Sequence, residues 1–66
     1  MNIEDIPRLR AQAKICRERV KHCRAQAASC KARSDFVGKL KADDSARQNL
    51  REAQALEAEI KRLKAA

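Results

Sequence analysis

The chain has 66 residues, with one Gly, one Pro, one Phe, no Trp or Tyr, and a formal charge of +7 at pH 7. That length allows a single domain, 1–66, with a core too small to be comfortable without disulfides, a metal or oligomerisation. The dominance of Ala, Arg, Lys, Glu, Gln and Leu excludes a sheet protein, which needs β-branched and aromatic residues, and points to an all-α chain of long helices.

From the N-terminus, Ile6, Leu9, Ala13, Cys16, Val20, Cys23, Ala27, Cys30 and Ser34 recur at alternating steps of three and four. Such a heptad places all nine on one seam of an α-helix, with Ile6, Ala13, Val20, Ala27 and Ser34 at position a and Leu9, Cys16, Cys23 and Cys30 at position d. Pro7 suits the first turn, where its missing N–H is tolerated. Asp5 is the expected N-cap, with Asn2 as the alternative. A second row of mostly small residues, Ala11, Ile15, Glu18, His22, Ala25, Ser29 and Ala32, lies on the opposite side. It reads either as a solvent-facing helix surface or as a place where another helix approaches.

Turn-forming residues then cluster at Ser34, Asp35, Gly38, Asp43, Asp44 and Ser45. Gly38 reads as the residue closing a first helix of about 6–37. Ser45 and Gln48 read as a capping box opening a second helix of about 45–65. The turn is therefore expected at about 38–44, with Ser34–Asp35 as the rival. In the second helix, Ala46, Asn49, Ala53, Leu56, Ile60 and Leu63 continue the heptad and Leu50 widens it. Glu57 and Lys61 form an i,i+4 pair. Phe36, Val37 and Leu40 are expected to plug the end where the hairpin turns.

The expected fold is an antiparallel two-helix hairpin whose core holds Leu9, Cys16, Val20, Cys23, Cys30, Leu50, Leu56, Ile60 and Leu63. Ala and Cys bury little apolar area, whereas ordering each residue costs more than about 1 kcal/mol. A lone hairpin is therefore expected to be marginal, and a homodimeric four-helix bundle is the natural remedy. Asn49, if buried, would fix the register.

The three cysteines stand one heptad apart, roughly 10 Å along a helix axis, too far for a bridge or a shared zinc within that helix. They read as small core residues, with a cross-chain disulfide as the alternative. No site for a metal or cofactor, and no arrangement for catalysis around His22, the only histidine, is legible, so an enzyme is not expected. The N-terminus lacks the apolar core of a signal peptide and no stretch is apolar enough to span a membrane, so a cytoplasmic protein without membrane partners is expected.

Charge is uneven. Residues 1–34 carry nine Lys/Arg against three acids, and residues 35–66 carry seven against six. Arg10, Arg17, Arg24 and Lys31 occupy every e position of the first helix, and Lys14 and Lys21, with Arg19 and Arg33, are expected to widen the row. Glutamates of the second helix can pair with part of this row but are too few to neutralise it. The row reads as a partner-binding face for an acidic or partly apolar protein surface, with Ile15, Phe36 and Leu40 as apolar anchors.

The run Ala27-Ala28-Ser29-Cys30-Lys31-Ala32-Arg33 looks like the basic region of leucine-zipper transcription factors. Arg24 and Ala32 stand where that family has its signature Asn and Arg, so the match is set aside. In architecture alone the chain is similar to Rop-type plasmid-encoded hairpins, which dimerise and bind paired RNA loops. In size it resembles small phage-encoded proteins that cover a host factor. The expected function is a small non-enzymatic regulatory module, of inhibitor or anti-activator type, that dimerises and docks on a partner protein. The alternative is a Rop-like nucleic-acid binder using the same basic face.

Overall fold

The computed structural model describes residues 2–65, nearly all of them helical. A short 3-10 turn, Ile3–Asp5, leads into α1, Ile6–Ala32, and after three residues α2 runs over Phe36–Ala65. The helices pack side by side as a hairpin 49 Å long and 14 by 13 Å across. Asn2, the alternative, rather than Asp5 caps the N-terminus. Its Oδ1 accepts from the Glu4 N–H at 2.9 Å, while Asp5 accepts from the Asn2 N–H at 2.9 Å. This reciprocal box makes Asp5 a helical residue instead of a cap.

The turn lies at 33–35, not at 38–44, and both expected helix boundaries there are corrected. Ser34 takes a left-handed conformation, φ 57°. From there its N–H donates to the Lys31 carbonyl at 3.1 Å, and the Asp35 N–H donates to the Cys30 carbonyl at 2.8 Å. These two bonds satisfy carbonyls that the end of α1 would otherwise leave open. Asp35 then opens α2: its carboxylate accepts from the Gly38 N–H at 3.0 Å. Gly38 therefore sits inside α2 for a packing reason. A Cβ there would lie 2.9 Å from the Cys30 sulfur and would run into the Asp35 carboxylate. Ser45 does not open a helix, since it falls in the middle of α2, where Gln48 bonds Asp44 within the same helix.

The seam is the heptad row. α1 buries Ile6, Leu9, Ala13, Cys16, Val20, Ala27 and Cys30, and α2 buries Ala42, Ala46, Ala53, Ile60 and Leu63. Cys23, Asn49, Leu50 and Leu56 are half-buried. Large side chains gather at the end far from the turn, where Ile6, Leu9, Ile60 and Leu63 form one cluster with Leu56 against it. Toward the turn the seam closes on Ala27, Cys30, Ala42 and Ala46. Asn49 turns back on its own helix, donating to the Ser45 carbonyl at 2.9 Å. Phe36, Val37 and Leu40 do not plug the turn: they are 67%, 64% and 64% exposed. With the turn three residues long, all three fall in the first turns of α2, off its seam.

Two substitutions test this turn. Ser34→Gly removes the cost of a side chain in the left-handed region and should raise stability by about 1 kcal/mol, or about 4–8 °C in melting temperature. Gly38→Ala should lower stability by about 1–3 kcal/mol by crowding Cys30 and Asp35. Thermal melts followed by circular dichroism check both signs.

Candidate docking surface

An antiparallel pair has two sides. Position e of one helix flanks position e of the other, and the g positions flank each other on the opposite side. In α2 the seam runs through Lys39, Ala46, Ala53 and Ile60 at a and Ala42, Asn49, Leu56 and Leu63 at d. One groove on the e side is lined by Arg10, Ala13, Lys14, Arg17, Glu57 and Ile60, and another by Arg24, Asp43, Ala46, Arg47 and Leu50. The g side has a groove of about 470 Å³ near the turn, lined among others by Gln26, Ser29, Gly38 and Ser45.

The basic row of α1 lies along the e side. Arg17 is taken up by the hairpin: its Nε donates to Glu57 at 3.2 Å and its Nη2 at 2.5 Å, a two-pronged bond across the helices. Glu57 is thus not paired with Lys61 as the sequence spacing suggests, because the arginine fork reaches both carboxylate oxygens at once. Asp43, the other acid on this side, is held at 2.7 Å by Lys39 of its own helix. Among the described residues Arg10, Lys14, Lys21, Arg24 and Lys31 form no ion pair. Counting e and b positions of both helices, this side carries nine cations against two acids. The g and c positions carry five against three.

Phe36 stands one heptad before Asp43 and so belongs to the same e side, with Leu40 beside it at b. Both lie at the turn end, level with Lys31. The hairpin thereby brings the basic row and two exposed apolar side chains onto one edge. It does not bring Ile15 there. Ile15, 48% exposed, occupies position c on the other side of α1, so the three anchors read from sequence are split between two faces. Cys16 and Cys30 are buried, Cys23 is half-buried and all three are free thiols. Arg33 donates to the Cys30 sulfur at 3.6 Å. His22 is exposed, and among the described residues no group of His, Cys, Asp or Glu side chains is placed to hold a metal ion. Lys39 and Ala42 complete the seam upstream of Ala46; with the turn placed at 38–44, sequence periodicity had no helix there to extend into.

Three carboxyls are held below their ordinary range. The Arg17 hydrogen bond does this for Glu57, the Lys39 hydrogen bond for Asp43 and the Arg62 hydrogen bond for Glu59, each helped by the partner's charge. Lowered carboxyl values stabilise the fold above the unfolded value of about 4.3 for Glu, and that contribution is lost as pH falls through the lower folded value. The melting temperature should therefore drop as pH is lowered below about 4.5. Glu57→Gln should flatten the drop, and a variant with an unchanged acid limb would show that the Arg17–Glu57 pair is not formed in solution. Comparison with protein-family models, with curated proteins and with solved structures finds no significant match for this chain.

Proposed function

We propose that this chain is a non-enzymatic regulatory module that dimerises and docks on the acidic surface of a partner protein through the e side of the hairpin. The observation that carries the reading is the coincidence on one edge of a row of unpaired cations with exposed Phe36 and Leu40. Unpaired cations along α1 attract and orient an acidic surface and raise the association rate. Phe36 and Leu40 supply the apolar contact that shortens dissociation, as aromatic anchors do at interface centres. A protein target is favoured over nucleic acid because the one aromatic on this edge, Phe36, stands at its turn end and none is interleaved among the cations for base stacking.

Dimerisation is supported by how open the lone hairpin is. It exposes 4972 Å², where a compact protein of its mass would expose about 4,200 Å². Its radius of gyration is 14.9 Å, against about 11 Å for a compact chain of this length. A second copy restores the missing burial.

The test compares wild type with an Arg10→Glu/Arg24→Glu/Lys31→Glu variant and with Phe36→Ser. Recovery from extract of the source cell should yield a partner of acidic surface with wild type and lose it with both variants. Fluorescence anisotropy with a random DNA duplex and a structured RNA should show binding weaker than about 1 µM at physiological salt. Micromolar or tighter nucleic-acid binding with a steep salt slope, abolished by Arg17→Ala/Arg24→Ala, would replace this reading with a nucleic-acid-binding one.

A further inference from the structure

We infer that the second copy docks on the g side of the hairpin, with α1 of each copy lying over α2 of the other about a two-fold axis that runs along the rod. This deepens the dimerisation just proposed and rests on it. Both sides are long enough: each is 49 by 14 Å, roughly 700 Å² of footprint, close to the roughly 800 Å² per partner of a stable interface.

Charge decides between them. In a two-fold dimer the same patch meets itself. On the e side that would press nine cations and two acids against nine cations and two acids, a repulsion that costs several kcal/mol at an interface. The g side is nearly balanced. Its cations are Arg8, Arg19 and Arg33 along α1 and its end, and Lys41 and Arg62 on α2; two of its three acids, Glu52 and Glu59, are on α2, with Glu59 held by Arg62 of the same helix. At the middle of the rod the g positions are Arg19 on α1 and Glu52 on α2. Laying α1 over the partner's α2 therefore matches opposite charges, whereas laying α1 over the partner's α1 would match like charges.

The levels agree along the rod. Arg19 is the midpoint of α1, and the antiparallel packing of Ile6 and Leu9 with Ile60 and Leu63 sets Glu52 close to the same height. With the axis along the rod, heights are preserved between copies, so Arg19 of each copy faces Glu52 of the other. One turn nearer the termini, Ile15 of one copy, 48% exposed in the lone hairpin, comes level with half-buried Leu56 of the other, and the dimer covers both. Nearer the turn the groove is lined by the small residues Ser29, Gly38, Ala42 and Ser45 and by the long cations Arg33 and Lys41. The basic e sides then face outward on opposite flanks of the bundle, both free for an acidic partner.

Sedimentation equilibrium of the full chain, with charge-reversal variants, tests the assignment. Wild type should dimerise. Arg19→Glu and Glu52→Arg should each raise the dimer dissociation constant by at least about tenfold, and the double swap R19E/E52R should restore it while circular dichroism confirms helix in all three. Arg24→Glu on the e side should leave dimerisation intact. A monomeric wild type would sink dimerisation itself. A wild-type dimer indifferent to Arg19→Glu and altered by Arg24→Glu would place the interface on the other side. A dimer tightened by both Arg19→Ala and Glu52→Ala, which would relieve like charges facing each other, would turn the axis across the rod.

Discussion

The contact on which this molecule depends is a seam closed for most of its length by alanine and thiol side chains. Small residues let the two backbones lie close together over some 40 Å of helix, but each removes little apolar surface from water. Only at the end far from the turn do Ile6, Leu9, Ile60 and Leu63 assemble a cluster of large side chains. The hairpin is therefore anchored at both extremities by different means, with apolar burial at the termini and backbone capping at the turn. The stretch between them is held by the two-pronged Arg17–Glu57 bond and by close approach alone.

The turn shows why capping, and not glycine content, decides where a helix stops. A chain with one glycine invites the reading that this glycine ends the helix. Here a serine adopts the left-handed conformation instead, and the next residue, Asp35, both closes α1 through its N–H and opens α2 through its carboxylate. Gly38 is needed one turn later because the Cys30 sulfur and the Asp35 carboxylate occupy the space above it. That requirement comes from a residue on the other helix, so no local pattern around Gly38 could reveal it. The Ser34–Asp35 pair was visible in the sequence, but propensity ranked it second.

The first heptad was legible as far as Cys30 and the second from Ala46 onward, since a strict alternation of threes and fours needs no knowledge of the partner. Leu9, Cys16, Val20, Cys30, Ile60 and Leu63 are buried where periodicity puts them, and Cys23, Leu50 and Leu56 lie at its margin. The basic row was legible for the same reason. What periodicity could not supply was the sorting of α2. Moving the turn forward extends the second heptad to Lys39, and only then do Phe36 and Leu40 fall beside the cations while Ile15 falls on the opposite flank. One misplaced turn scattered a surface whose members were all individually visible.

The sulfur atoms carry a last consequence. Cys16 and Cys30 are sealed between the helices at two depths, while Cys23 stands partly open between them. In the monomer an alkylating reagent reaches Cys23 with the hairpin intact, but it reaches the outer two only when the helices part around them. The rates at which the three sites are modified thus record where along its length the molecule breathes, and a ruler for local opening is already written into the unaltered chain.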